Sequence, residues 1–183
     1  MKRLLYILSM PVAGLLVALA GCNTTGCIDN QSSLPLAGLY SSASGEQVTV
    51  SGIEIHGVGA PGDSLLVGAT ESVSQVYLPM RSASTSVSWC LHYEQPGIDS
   101  DADNDTITFY YSSEAYFASE ECGAMYRYFI ERCAYTTHLV DSVVVTDSLV
   151  TNVNLERIRI YFRTAPAQSG DDAGGAGNQT MSL

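Results

Sequence analysis

Apolar residues recur at every second position through most of the chain, the spacing of strands buried on one face. Gln47-Val48-Thr49-Val50-Ser51 alternates, and Ile53 and Ile55 carry apolar residues onward at period two. Ser86 to Tyr93 sets Val87, Trp89, Leu91 and Tyr93 on one face, and Thr106 to Ser112 does the same with Ile107, Phe109 and Tyr111. Shorter runs stand at Leu65-Leu66-Val67, Val73 to Leu78, Met125 to Ile130, Val143-Val144-Val145 and Ile158 to Phe162. Turn-forming clusters separate them at Gly57 to Asp63, Gln95 to Asp105, Ser119 to Gly123 and Asp147 to Asn154. No helical period runs through any comparable window. About eight short strands at this spacing predict one all-β domain over residues 37–163, an antiparallel β-sandwich, immunoglobulin-like or related.

Both ends break the pattern. Lys2 and Arg3 precede an apolar run from Leu4 to Leu19, which is the layout of a secretory signal over residues 1–21. The run is shorter than the roughly 20 residues of a membrane span and contains Pro11 and Gly14, which argues against a transmembrane helix. Leu19-Ala20-Gly21-Cys22 resembles a bacterial lipobox, which implies acylation of Cys22 and cleavage before it. Several acyl chains hold a protein firmly in a membrane where one is marginal. Asn23 follows the cysteine, rather than the Asp that retains the best-known lipoproteins in the inner membrane. The expected location is therefore the outer membrane, facing the periplasm. Residues 22–36 are polar and read as a tether; residues 164–183 lack periodicity and read as a disordered tail.

Charge narrows the partners. Without the signal, six arginines and no lysine face 19 acidic residues, for a formal charge of −13. Such a chain repels phosphate backbones, which excludes nucleic acid, and it must rely on lipid rather than basic residues to reach a membrane. The exported compartment makes Cys27, Cys90, Cys122 and Cys133 disulfide candidates, while no C-x-x-C pair suggests zinc. Three pairings are open. Cys27–Cys122 with Cys90–Cys133 is the one expected, because the first would tie the leader to the body and close a long loop.

Four motifs bear on chemistry. Gly62-Asp63-Ser64-Leu65 spells the signature block of the GDSL esterases, but none of His56, His92 and His138 has the Asp three residues earlier that the family's base requires. The three histidines are scattered and read as ordinary polar positions. A turn explains the block better than a nucleophile at Ser64, so no catalytic residue is assigned. Asp99, Asp101, Asp103 and Asp105 alternate as the first ligands of an EF-type calcium loop, yet Tyr110 stands where the bidentate Glu belongs. That leaves calcium as a possible cofactor beside the simpler reading of a solvated turn. Asp63-Ser64-Leu65, Asp105-Thr106-Ile107, Asp141-Ser142-Val143 and Asp147-Ser148-Leu149 all read Asp, hydroxyl, apolar. They resemble acceptor sites of periplasmic O-glycosylation in Bacteroidota, which would modify Ser64, Thr106, Ser142 and Ser148; turn chemistry ahead of a strand gives the same pattern.

Glu121-Cys122-Gly123, the tyrosine-rich strand to Ile130, Thr136-Thr137-His138, Asp141-Ser142, Thr151-Asn152 and Ile158 to Phe162 together resemble an uncharacterised lipoprotein family of gut Bacteroidota. Cys27, Val76-Tyr77-Leu78-Pro79 and Asp105-Thr106-Ile107-Thr108-Phe109 fit it as well, so the likeness spans residues 27–163. It implies an envelope location and no activity. The expectation is a non-enzymatic binding or scaffolding domain on a lipid tether, its partner an envelope protein or a glycan. The alternatives are a calcium-dependent carbohydrate-binding module and an esterase using Ser64. The eleven tyrosines decide how the first reading fares: packed inward they are core, gathered on an exposed face they are a contact surface.

Overall fold

One glycine divides the first alternating run and sends its halves to different sheets. Strand β2 (Thr49–Ser51) ends and β3 (Ile53–Gly57) begins on either side of Gly52, whose φ is +72°. A residue with a Cβ is strained in that left-handed conformation. The buried phase slips by one residue there: Val50, Ile53 and Ile55 are all buried, which unbroken alternation forbids.

The computed structural model describes residues 32–60, 64–120 and 123–163, and the backbone of residues 180–182. The remaining strands are β1 (Leu36–Ser41), β4 (Leu65–Val67), β5 (Ser72–Val73), β6 (Gln75–Tyr77), β7 (Ser86–Tyr93), β8 (Asp105–Ser119), β9 (Gly123–Tyr135), β10 (Val140–Val145), β11 (Leu149–Val150), β12 (Glu156–Phe162) and β13 (Thr180–Ser182). A six-stranded sheet in the order β11-β9-β8-β7-β3-β4 curls into a half-barrel; the others run β10-β12-β1-β6 and β13-β2-β5. No α-helix occurs among the described residues. The fold is all-β, but three sheets and thirteen strands replace the expected two layers of about eight. The run Val73 to Leu78 divides into β5 and β6, which join different sheets, and β1, β11 and β13 are additional.

The predicted faces are the buried ones. Trp89, Leu91 and Tyr93 of β7 pack inward beside Ile107, Phe109 and Tyr111 of β8. They share one core with Ala37, Leu39, Ile158, Ile160 and Phe162 of the four-stranded sheet. Each such side chain contributes about 1.5–3 kcal/mol on leaving water, which makes this seam the main source of stability. Strand β1 stands where no alternating run is expected. It pairs with β12 in parallel, Leu39 opposite Ile160, so the two ends of the domain zip together. Sequence alternation cannot indicate a partner more than a hundred residues away.

The boundaries also shift. The tether was expected to reach residue 36, but Ser33 and Pro35 are already buried and Leu36 opens β1. The tail was expected to be disordered throughout, yet Thr180–Ser182 pairs in parallel with Thr49–Ser51. Cys22, Cys27 and Cys122, the signal, and most of the tether and tail lie outside the described residues.

The Cys90–Cys133 bridge is overturned: both thiols are free. Cys90 sits opposite Thr106 and Cys133 opposite Phe109, so β8 lies between them. Two inter-strand spacings come to about 9.5 Å, beyond the roughly 7 Å a disulfide spans. They also face opposite sides, since Cys133 shares the inward face with Phe109 while Cys90 alternates with buried Trp89 and Leu91. Burial pushes the Cys133 thiol up to about 11. Little of it is therefore thiolate at mildly alkaline pH, and iodoacetamide should alkylate it at least about tenfold more slowly in the native chain than in urea. Equal rates by peptide mass would show that the thiol is open.

Candidate functional site

The four-stranded sheet carries the tyrosines that the core does not take. In β12, Ile158, Ile160 and Phe162 face inward, which turns Arg159 and Tyr161 outward; in β1, inward Ala37 and Leu39 turn Gly38 and Tyr40 outward. Parallel register places Tyr40 beside Tyr161, with ring centroids 5.4 Å apart and planes tilted by 37°. The Arg159 guanidinium lies 5.1 Å from the centre of the Tyr40 ring, within cation–π range. Val144 of β10 and Tyr77 of β6 extend the same face on either side.

Glu156 organises this surface. Its Oε1 accepts from Tyr40 Oη at 2.8 Å and Arg159 Nε at 2.9 Å, and its Oε2 accepts from Gln75 Nε2 at 3.3 Å. The carboxylate lies across Gly38, where a Cβ would stand 2.2 Å from Glu156 Oε2 and 2.8 Å from the Tyr40 ring. Only a residue without a side chain leaves room for it. Burial, with the Glu156 carboxylate second, raises the Tyr40 pKa, so the phenol stays protonated and keeps donating. Tyr77 Oη donates to Asn154 Oδ1 at 2.7 Å and is likewise fixed. The result is a pre-set aromatic pair rimmed by a guanidinium, a carboxylate and an amide.

Of the ten described tyrosines, Tyr93, Tyr111 and Tyr128 are core, and Tyr40, Tyr77 and Tyr161 share this outer face. Tyr110 lies on the outer side of the half-barrel under Arg132, whose guanidinium is 3.6 Å from its ring centre. The face was legible in principle: Tyr161 and Tyr40 fall out of phase with their buried neighbours. Glu156, Gln75 and Gly38 carried no such signal, because only the register brings them together.

The aspartates of the acidic loop do not converge on one point. Asp105 is wholly buried and its oxygens are already engaged: Oδ1 accepts from Thr136 Oγ1 and the His138 amide, Oδ2 from Tyr93 Oη and the amides of Leu139 and Val140, all at 2.8 Å. Asp101 and Asp103 lie in a 3-10 turn capped by Ser100, while Asp99 and Asp101 are exposed. No group of three metal-ligating side chains converges among the described residues. The calcium assignment to Asp99, Asp101, Asp103 and Asp105 is therefore corrected. Asp105 belongs to the inward phase of β8 and cannot also face a loop ion.

The other candidates are scattered. Ser64 is exposed at the start of β4, where its carbonyl accepts from the Gly57 amide. His92 Nδ1 bonds Asn104 Oδ1 and His138 Nδ1 bonds the Asn104 carbonyl, so two of the three histidines are held at the other end of β7. Thr106 and Ser142 lie within strands and are half-buried, whereas Ser148 is exposed in a turn. The acidic residues of three triplets have structural work: Asp105 as above, Asp141 with Arg163, and Asp147 with Arg157.

An all-β domain with a built aromatic face is the class that fold and site define. The chain belongs to a family of unknown function, DUF6452, whose model matches residues 47–162. No curated protein and no solved structure matches it.

Proposed function

We propose that the chain is an outer-membrane lipoprotein, acylated at Cys22 and facing the periplasm, whose β domain binds a neutral glycan without acting on it. The observation that carries the binding reading is the grouping of Tyr40, Tyr77 and Tyr161 with Arg159 around Glu156 on one open sheet face. Aromatic rings offer flat apolar area to the C–H faces of sugar rings, and fixed polar groups beside them meet hydroxyls. A chain of net charge −11 disfavours polyanionic polymers, so a neutral glycan suits the face better. The signal layout and Cys22 support the lipoprotein reading, and the resemblance to lipoproteins of gut Bacteroidota points the same way.

The purified chain should be retained on insoluble neutral polysaccharides, and Tyr161→Ala should weaken retention by about tenfold or more, as loss of a central aromatic anchor does. Circular dichroism should be unchanged, because Tyr161 lies outside the core. Retention equal to wild type would remove the face from the explanation.

A further inference from the structure

We propose that the mouth of the half-barrel binds a small amphipathic monocarboxylate, its apolar body against Trp89 and its carboxylate on Arg81. This lies beyond the glycan reading: the cleft opens at one end of the six-stranded sheet, and none of Tyr40, Tyr77, Glu156, Arg159 and Tyr161 lines it.

The cleft has a volume of about 500 Å³, within the range of small-ligand sites, and barrel mouths are a recurrent place for them. Gly57 at the end of β3, Ser64 before β4 and Ser86 at the start of β7 bring three strand ends to one rim. Val58, Ala60, Leu66, Pro79 and Trp89 supply apolar wall. Trp89 is 5% exposed and edge-on to Gly57, where a Cβ would stand 3.3 Å from Cζ3, so the wall is closely packed. Its indole N–H is buried with no acceptor among the described residues.

Arg81 decides the charge of the occupant. Arg127, Arg157, Arg159 and Arg163 are in ion pairs, and Arg132 lies over Tyr110. Arg81 is the one arginine among the described residues whose side chain makes neither an ion pair nor a ring contact. Its backbone is nevertheless fixed from both sides: the Arg81 amide donates to Tyr111 Oη, and that hydroxyl donates back to the Arg81 carbonyl, each at 3.0 Å. Tyr128 Oη donates to the Met80 carbonyl and Ser113 Oγ to the Ser82 carbonyl. Three side chains of the β8–β9 hairpin thus hold the loop and leave its guanidinium unspent at the cleft. A guanidinium fork matches a carboxylate in shape. With one such cation in a chain of net charge −11, a single negative charge on the ligand is what the site balances.

Trp89 is the single tryptophan, so its emission reports occupancy directly. Titrating the full chain with octanoate should change that emission saturably. 1-Octanol, the same chain without the charge, should do so at least about threefold more weakly, since a contact at an exposed arginine is modest. Inorganic phosphate, which has no apolar body, should leave it unchanged. Arg81→Gln should fold normally by circular dichroism and bind octanoate and octanol alike. The proposal is overturned by no saturable change with octanoate, by equal affinities in the wild type, by a preference that survives Arg81→Gln, or by phosphate reproducing the octanoate signal. None of these outcomes bears on Tyr161, whose glycan retention is read separately.

Discussion

Asp105→Asn lowers the free energy of unfolding by about 3–5 kcal/mol, or leaves no folded protein. Five donors converge on this carboxylate, and nothing of it reaches solvent. An amide in its place carries one NH2 group. Turned toward Oδ1 that group meets Thr136 Oγ1 and the His138 amide; turned toward Oδ2 it meets Tyr93 Oη and two further amides. Either way donors face donors in a dry site, and a buried group without its partner costs about 1–3 kcal/mol. Thr136 Oγ1 also accepts from the Thr106 amide at 2.8 Å, so the damage spreads along the β8 edge. Chemical denaturation of both chains measures the effect; a difference under about 1 kcal/mol would show that the cluster is not the latch between β8 and the loop leading to β10.

The same residue sets an acid dependence. Burial alone would raise the Asp105 pKa, but the amides of Val140 and His138 and the hydroxyls of Thr136 and Tyr93 more than offset it and hold it below the ordinary carboxylate value. A depressed folded pKa contributes stability that is complete above the unfolded value of about 3.9 and is lost as pH falls through the folded one. Wild type should thus weaken as pH drops below about 4, and Asp105→Asn should lack that part of the loss.

Asp147→Ala costs about 2–4 kcal/mol, and more than Arg157→Met does. The Arg157 side chain is 5% exposed and the Asp147 side chain 45%, so the pair has one dry and one wet member. Removing Asp147 strands a buried guanidinium with only Thr151 Oγ1 at 3.4 Å, and it also removes the acceptor for the Leu149 amide at 3.0 Å. Replacing Arg157 with Met instead refills most of the volume, while the half-exposed Asp147 is solvated. Since breaking a buried pair from one side is what hurts, the order of the two variants is the informative measurement. If Arg157→Met proves the more damaging, the charge itself is holding the turn between β10 and β11.

The alternation rule worked where strands are buried on one face. Trp89, Leu91 and Tyr93, with Ile107, Phe109 and Tyr111, were readable as core, and Val87 as packed against it, because period two is imposed by the backbone itself. It also contained the answer to the calcium question. Asp105 is in phase with Ile107, so a strand beginning at 105 carries it inward. The acidic residues at every second position from Asp99 follow the same period, which continues into the strand at Asp105. Gly52 was visible as a residue but not as a phase shift, because the conformation of one glycine depends on the sheets its neighbours join.

By itself the sequence determined an all-β chain and the composition of its core seam. Those follow from local chemistry: pleat geometry, turn residues and the spacing of apolar side chains. Tertiary structure alone decided the rest. It paired β1 with β12 in parallel, divided the strands among three sheets, placed β8 between Cys90 and Cys133, and brought Tyr40, Gln75, Glu156, Arg159 and Tyr161 onto one face. Each depends on register between distant segments, which is settled by packing of the whole core rather than by any residue's own preference.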